Sequence, residues 1–180
     1  MPDRGEPQSG FRMNDIVLEG LICMTSLPSV GQPAPQFSLP DADNNQVSLA
    51  DLKGKPVILY FYPKDDTAGC TKEACSFRDY YSEIQAAGGV VYGASPDSPE
   101  SHRAFIEKYN LNFPLLSDEE KSAAQDYGVW VERERNGQKS MGIARTTFAI
   151  DEEGAIARVW ENVSPDTHGE EILTWLKERA

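Results

Sequence analysis

One stretch of the sequence, residues 57–62, constrains the fold more than any other. It reads Val-Ile-Leu-Tyr-Phe-Tyr, an unbroken run of β-branched, aliphatic and aromatic residues. A strand that is apolar on both faces is typical of the centre of a sheet that is covered on both sides. Pro63 follows at once and ends the strand. The run is also the longest apolar stretch of the chain and falls far short of the roughly 20 residues of a membrane-spanning helix, so we predict no membrane span.

The segment that follows has the periodicity of a long amphipathic helix. Apolar side chains recur at alternating spacings of four and three residues, which places them on one helical face: Cys70, Ala74, Phe77, Tyr81 and Ile84. We therefore predict a helix over about 68–87, ended by Gly88 and Gly89. Cys75 lies five residues after Cys70 and falls outside this apolar stripe.

The remaining elements alternate between strand and helix patterns. We predict strands at 90–94, 145–150 and 155–160, a hairpin around Asn136-Gly137 with its first strand at 129–134, helices opening at Ser98-Pro99 and at Thr167, a shorter helix capped by 117–120 and running to about 127, and a helical turn capped by Ser48. His102 and His168 stand near helix starts among polar neighbours, so we expect both to be solvated. The alternation is typical of an α/β layered domain, which we assign to residues 28–180.

Residues 1–27 differ in composition from the rest of the chain. The first ten residues mix Pro, Asp, Arg, Gly, Glu, Gln and Ser without periodicity. A signal peptide would need a basic start and a longer apolar core than this segment offers. We expect residues 1–27 to be a disordered or non-native extension, with Met24 as an alternative start and Cys23 without a role.

Net charge and cysteine content exclude several classes of function. The chain has 29 Asp and Glu against 17 Lys and Arg, a formal net charge of -12. Such a surface repels phosphate groups, so we predict neither a nucleic-acid nor a membrane partner. Three cysteines are too few for a disulfide scaffold in 180 residues. No Cys-x-x-Cys or His-x-x-x-His pair indicates a metal site, and we predict no metal, no cofactor and a cytoplasmic location.

Cys70 occupies a position that favours reactive sulfur chemistry. The central strand leads through 63–69 directly to this cysteine, which we expect in the first turn of the long helix. Unpaired backbone N–H groups and the positive end of the helix dipole stabilise an anion there, which favours a thiolate. Ligands of open α/β sheets bind at the same edge. The Thr67 hydroxyl is within reach of the sulfur or of a substrate, and Gly69 permits a close backbone approach.

These residues carry a resemblance to a known family. The pattern Pro63-x-x-x-Thr67-x-x-Cys70 resembles the active-site signature of the peroxiredoxins, and 61–75 is similar to the Q-type subfamily, the bacterioferritin comigratory proteins. The similarity continues through 31–37 and 145–151 and so covers nearly everything after residue 28. One departure is Ala68, where that subfamily commonly has Pro. The resemblance implies a thioredoxin-like fold, with a central mixed β-sheet flanked by helices on both faces.

The resemblance also implies an activity and a set of roles. The chain is expected to reduce hydrogen peroxide and organic hydroperoxides, with Cys70 as the peroxidatic thiolate that becomes a sulfenic acid. Arg145 matches the family arginine that holds the thiolate and stabilises the leaving oxygen. Thr67, Gly69 and the backbone N–H of Cys70 would bind and orient the peroxide.

Two further residues are expected to support this centre. Pro63 would shield the sulfenic acid from water, although on its own it reads as a plain strand terminator. Glu73 is placed to orient Arg145, or else is a carboxylate that only complements the helix dipole. Arg145 without the family match would read as a solvated strand residue.

Cys75 matches the resolving cysteine of the Q type, the alternative being a packed cysteine. In an ideal α-helix, Cα atoms five residues apart are separated by about 8.7 Å, given a rise of roughly 1.5 Å and a radius of roughly 2.3 Å. A disulfide tolerates at most about 7 Å. We therefore predict that the first turns of the helix unwind when Cys70 and Cys75 join. Thioredoxin or a similar dithiol would then reduce the disulfide, and the subfamily resemblance favours a monomer.

Two readings of different classes stay open on the residues. The first is the thiol peroxidase. The second is a redox-sensing or chaperone-like binding module that is switched by the Cys70–Cys75 disulfide. A thioredoxin-type disulfide exchanger would need Cys-x-x-Cys, which this chain lacks.

Overall fold

The computed structural model describes residues 26–179, which form nine strands, four α-helices and one 3₁₀ turn. The strands are β1 Ser38–Pro40, β2 Gln46–Ser48, β3 Val57–Phe61, β4 Val90–Ser95, β5 Leu115–Ser117, β6 Trp130–Arg135, β7 Gln138–Ile143, β8 Thr146–Ile150 and β9 Ile156–Glu161. The helices are α1 Ala68–Ala86, α2 Pro99–Tyr109, α3 Ser122–Asp126 and α4 His168–Arg179, and the 3₁₀ turn is Leu49–Leu52. The expectations for residues 1–25, including Cys23 and Met24, lie outside the described residues.

The apolar run forms β3, the middle strand of a five-stranded sheet with the order β5-β4-β3-β8-β9. β4 pairs with β3 in parallel and β8 pairs with it antiparallel, so the sheet is mixed as expected. Every residue of β3 is buried. Ile58 and Tyr60 belong to one hydrophobic cluster, whereas Val57, Leu59 and Phe61 belong to the other, because successive side chains of a strand point to opposite faces.

Helices cover both faces of this sheet. The Ile58 face packs against side chains of α1, α2 and α4. The opposite face packs against the 3₁₀ turn and α3. The expected thioredoxin-like α/β architecture is therefore confirmed. Within residues 26–179, no helix combines the length and the apolar character needed to cross a bilayer.

α1 buries the stripe that the sequence predicts and also two polar residues, Glu73 and Ser76. Its second half lies against α4 so closely that a Cβ on Gly169 would overlap the carbonyl of Ser76. The backbone N–H of Gly169 donates to Ser76 Oγ at 2.9 Å across the same contact. Glycine at 169 therefore allows the two helices to meet.

The three predicted caps are wrong in detail. Ser48 makes no side-chain cap, and the Thr167 hydroxyl donates to Glu171 Oε1 at 3.1 Å instead of closing a capping box with Glu170. Residues 117–120 do not start a helix, since Ser117 ends β5 and α3 begins at Ser122. Asp118 still acts at a distance, because its carboxylate accepts backbone N–H groups of α3. β5 escapes prediction because it is only three residues long.

The expectation that His102 and His168 are solvated is also wrong, because both side chains are fully buried. His102 lies three residues before Phe105, and His168 lies four before Ile172, so each shares the inward face of its helix. Their polar sequence neighbours occupy the outer faces. The helical period, and not the neighbouring residues, decides the burial of these histidines.

Candidate active site

Cys70 is the third residue of α1 and is buried, with 2% of its surface exposed. The six residues 62–67 connect the end of β3 to α1 and bring the helix start to the edge of the sheet. The sulfur therefore lies at the helix N-terminus, where backbone N–H groups lack helical partners. This is the position that the sequence predicts for Cys70.

Arg145 contacts this sulfur, although it lies 75 residues further along the chain. It directly precedes β8, and the pairing of Phe61 with Thr146 sets it beside the end of β3. One guanidinium nitrogen, Nη2, donates to Cys70 Sγ at 3.4 Å, and Nη1 donates to Glu73 Oε2. A rigid planar fork of this kind can hold a sulfur and a carboxylate together, which a lysine could not do.

Gly69 makes room for that fork. A Cβ at this position would lie 3.0 Å from Arg145 Nη2 and 3.7 Å from Cζ. The close approach expected at Gly69 thus exists, and the group that approaches is the arginine side chain. Any larger residue at 69 pushes against the guanidinium that contacts Cys70.

Glu73 holds Arg145 from the buried side. Its side chain is fully buried and forms an ion pair with Arg145, whose side chain is 19% exposed. Burial raises the pKa of Glu73 to about 7, and the neighbouring guanidinium opposes that rise. The second carboxylate oxygen, Oε1, has no hydrogen-bond partner among residues 26–179.

Thr67 and Pro63 belong to the segment between β3 and α1, and neither makes a hydrogen bond to the sulfur in the described structure. Thr67 is the N-cap residue of α1, is exposed, and makes no side-chain cap; its hydroxyl donates to the carbonyl of Lys64 at 3.0 Å. Pro63 is half-buried and follows the last residue of β3 by two positions. The structure therefore links Cys70 and Glu73 through Arg145, whereas Thr67 and Pro63 take no part in these bonds.

Cys75 lies on the same helix as Cys70, one and a half turns further along, and is half-buried. Both cysteines are free, and α1 is continuous between them. The helical separation derived above applies, so the two sulfurs belong to a conformation in which the disulfide is open.

Sequence reasoning missed three buried polar side chains near this centre. The Tyr60 hydroxyl is buried without a partner in the described part of the chain, and burial together with the charges of Glu73 and Cys70 raises its pKa. His102 bonds to Asp65 of the loop before α1 at 2.7 Å. His168 bonds to the Thr147 hydroxyl at 2.7 Å. The helical spacing of the two histidines was the available signal.

Residues 30–159 match the AhpC/TSA family. The chain is a peroxiredoxin of that family. A Coxiella burnetii relative that carries the name peroxiredoxin bcp is 56% identical over 144 residues, or 80% of this chain and 95% of the relative. Peroxiredoxin Bcp of Escherichia coli strain K12 is 46% identical over 150 residues, covering 83% of this chain and 96% of that protein.

Solved structures agree with this assignment. One of them is the bacterioferritin comigratory protein of Xanthomonas campestris, a protein with alkyl peroxide reduction activity. It aligns with a TM-score of 0.78 at 31% identity, covering 84% of this peroxiredoxin and 99% of that chain. The Q-type resemblance is confirmed, and this peroxiredoxin is a thiol-dependent peroxidase, an oxidoreductase.

Proposed function

We propose that Cys70 is the peroxidatic residue of this thiol peroxidase. The observation that carries the proposal is the contact of Arg145 with the Cys70 sulfur at the N-terminus of α1, with Glu73 behind the arginine. A permanently positive guanidinium complements a thiolate, and so do the free N–H groups of the helix start. Cys75, by contrast, has no such positive partner in the described structure.

The first chemical step follows from these positions. The Cys70 thiolate attacks the terminal oxygen of the hydroperoxide; the S–O bond forms and the O–O bond breaks. Cysteine is oxidised to the sulfenic acid, while the peroxide is reduced to an alkoxide, or hydroxide, that takes up a proton and leaves as alcohol or water. Arg145 lies where it would stabilise the negative charge that develops on the leaving oxygen.

The residues just before Cys70 would bind the peroxide and protect the sulfenic acid. Thr67 and Gly69 would hold the peroxide oxygens with a hydroxyl and backbone N–H groups, once the Thr67 hydroxyl turns from the Lys64 carbonyl. Pro63 would limit access of water and of a second oxidant to the sulfenic acid. Glu73 would position Arg145, because it fixes one arm of the guanidinium while the other faces the sulfur.

Cys75 would resolve the sulfenic acid. Its sulfur attacks the sulfur of Cys70, the disulfide forms and water leaves. Because helical Cα atoms five residues apart are about 8.7 Å from each other, α1 must unwind at its start before the bond can close. An external dithiol such as thioredoxin then reduces the disulfide and becomes a disulfide itself. We propose hydrogen peroxide and alkyl hydroperoxides as substrates, a monomer and a cytoplasmic location, the reducing compartment in which such a dithiol pool exists.

The test is stopped-flow mixing of the reduced protein with hydrogen peroxide and with cumene hydroperoxide. All variants carry Cys23→Ser, which removes the third thiol. Cys70→Ser is expected to lose the reaction, by a factor on the order of 10³ or more. Arg145→Lys is expected to slow it by about 10²–10³-fold. Cys75→Ser, the matched cysteine variant, should react once at the wild-type rate and stop as a sulfenic acid that dimedone captures.

Steady-state turnover with thioredoxin and its reductase completes the test. The wild-type protein should turn over, and Cys75→Ser should not form a disulfide by mass spectrometry. A reaction no faster than that of a free thiol, unchanged in Cys70→Ser, would overturn the proposed site and favour the redox-sensing module instead.

A further inference from the structure

The loop of residues 63–67 lies just before Cys70 in the chain. Two consecutive aspartates, Asp65 and Asp66, hydrogen-bond this loop to α2. Asp65 is buried, and its carboxylate contacts three side chains. Asp66 is exposed, adopts the left-handed conformation with φ of 57°, and accepts bonds from Lys108 and Tyr109 at 2.6 Å each. The two ties lie on the same helix and in the same loop, yet one is buried and the other is solvated.

The buried tie is centred on the Asp65 carboxylate. Oδ1 accepts the Tyr62 hydroxyl at 2.6 Å, and Oδ2 accepts the Ser101 hydroxyl at 2.8 Å. His102 Nδ1 lies 2.7 Å from Oδ2 and 3.4 Å from the Tyr62 hydroxyl. The Asp65 backbone N–H adds a bond to Asp97 Oδ2 at 2.8 Å. The Asp65 side chain is 4% exposed, so these partners take the place of nearly all its contact with water.

His102 connects the tie to the sheet. Its other ring nitrogen, Nε2, lies 2.9 Å from the carbonyl oxygen of Leu116 in β5. A carbonyl oxygen only accepts, so Nε2 carries a hydrogen. Nδ1 is then the ring nitrogen that is hydrogen-bonded to Asp65 Oδ2, the oxygen that also accepts the Ser101 hydroxyl. The ring therefore hydrogen-bonds through both nitrogens, to the 63–67 loop on one side and to β5 on the other.

We propose that His102 and Asp65 are positioning residues of the peroxidatic centre. The pair fixes the 63–67 loop to β5 and α2, and the loop in turn sets where Thr67 and the first turn of α1 stand relative to Arg145. Neither residue touches the sulfur or the peroxide. Displacement of a reacting group by about 1 Å is enough to slow a reaction by on the order of 10²-fold. The inference rests on the proposed role of Cys70.

Two substitutions at 102 separate the two bonds of the ring. His102→Asn keeps an N–H near the place of Nδ1, facing Asp65, and loses the bond to Leu116. His102→Gln keeps an N–H near the place of Nε2, facing Leu116, and loses the bond to Asp65. Both remove the ring, so a purely structural role of the imidazole predicts equal effects.

The measured quantities are the second-order rate of Cys70 oxidation by hydrogen peroxide and the urea midpoint of the reduced protein. We expect His102→Gln to slow oxidation by about 10–100-fold and His102→Asn to stay within about 3-fold of wild type. Lys108→Met, which removes one of the two donors to the exposed Asp66 and leaves Tyr109 in place, serves as the control on the same helix and should stay within about 2-fold. Equal rates in the two His102 variants, or a folded His102→Gln at the wild-type rate, would overturn the inference.

A second pair of variants keeps the test decisive if the His102 variants do not fold. Tyr62→Phe and Ser101→Ala each remove one donor to Asp65 and leave the ring in place. Their combination should slow oxidation by about 3–10-fold, and an unchanged rate in the folded double variant contradicts the proposal. Mass spectrometry of the oxidised cysteine separates this failure from the other one: if a cysteine other than Cys70 is oxidised, the proposed function fails; if Cys70 is oxidised at unchanged rate in all variants, only the positioning role fails.

Discussion

The two halves of α1 are held in place by different kinds of interaction. In the first half, residues 68–75, the buried Glu73 and Cys70 face the guanidinium of Arg145. In the second half, residues 76–86, the ring of Phe77 stacks on that of Tyr60, with 4.6 Å between the ring centroids. It also meets the His168 ring edge-on, with 5.2 Å between the centroids. The ion pair and hydrogen bonds of Arg145 distinguish the first half, and aromatic packing distinguishes the second, where Ser76 also accepts a hydrogen bond from Gly169.

This difference explains how one helix can be both firm and able to unwind. A sulfenic acid carries no formal charge at neutral pH if it is protonated, so oxidation of a Cys70 thiolate weakens its attraction to Arg145. Nothing in that step alters the packing of Phe77 against Tyr60. Oxidation should therefore loosen residues 68–75 and leave residues 76–86 folded, which is the rearrangement that a Cys70–Cys75 bond requires.

The largest expected effect tests the packed half. Phe77→Ala removes a fully buried ring and should lower the free energy of unfolding by about 3–5 kcal/mol. Cys75→Ala, at a half-buried site in the other half, should change it by less than about 1 kcal/mol. Urea unfolding of the reduced proteins, followed by circular dichroism, measures both. Similar losses in the two variants would mean that the halves do not differ in packing.

The next effect is a divergence with pH. Burial raises the pKa of Glu73 to about 7 from 4.5, so the folded state binds more protons than the unfolded state between these values, and stability falls as pH rises through that window. Burial, aided by the charge of Arg145, lowers the pKa of His168 to about 4 from 6.5. For His168 the unfolded state binds more protons between these values, so stability falls as pH falls.

Single variants should expose these opposite slopes. In Glu73→Gln the His168 slope is left, so the protein should lose stability from pH 7 to pH 5, by on the order of 2 kcal/mol relative to wild type. In His168→Gln the Glu73 slope is left, and stability should instead rise relative to wild type over the same interval. Urea midpoints at the two pH values decide the point. Parallel pH profiles in all three proteins would contradict the assigned ionisation of both groups.

Sequence reasoning reached the chemical residues and one contact between them, the pair of Glu73 with Arg145, but not the polar contacts of the loop before α1. The apolar run, the helical stripe and the Pro63-to-Cys70 pattern are local features, and each appears in the structure where it was expected. The pairing of Arg145 with Glu73 spans 72 residues and follows from sheet register, which the sequence suggests only through the family match.

The errors concern polar side chains, whose surroundings depend on more than their sequence neighbours. His102 and His168 are buried because each shares the inward face of its helix with an apolar residue, Phe105 or Ile172, and each meets an aromatic ring that is distant in sequence. The Thr67 hydroxyl, which was expected within reach of the sulfur or of a substrate, donates instead to the carbonyl of Lys64, three residues earlier. Short polar side chains have several acceptors within reach, so composition alone does not select among them.

Two glycines offer a matched test of the halves at an intermediate effect. Gly169→Ala places a methyl group against the Ser76 carbonyl and should cost about 1–3 kcal/mol of stability, with the folded protein reacting with peroxide as wild type. Gly69→Ala meets only the flexible end of Arg145, so its stability should change little, while displacement of the guanidinium slows oxidation of Cys70 by about 10-fold. The urea midpoint should therefore change in Gly169→Ala and not in Gly69→Ala. The stopped-flow rate should change in Gly69→Ala and not in Gly169→Ala. A Gly69→Ala protein that reacts at full rate would show that Arg145 has room to spare.

The smallest expected effect concerns the outer surface of the first half. Lys72 lies 3.6 Å from Asp166 in the segment before α4, and both side chains are more than half exposed, at 60% and 64%. An exposed pair of this kind contributes between zero and about 1 kcal/mol and is screened by salt. Lys72→Ala, Asp166→Ala and the double variant should therefore unfold at nearly the wild-type urea concentration, with any coupling between them lost in 1 M NaCl. The same variants should form the Cys70–Cys75 disulfide within about 2-fold of the wild-type rate, because the helix start is held by Arg145 from the inside. Markedly faster disulfide formation in Lys72→Ala would mean that the segment before α4 also restrains the first half of α1. The two halves would then differ only in how strongly they are held.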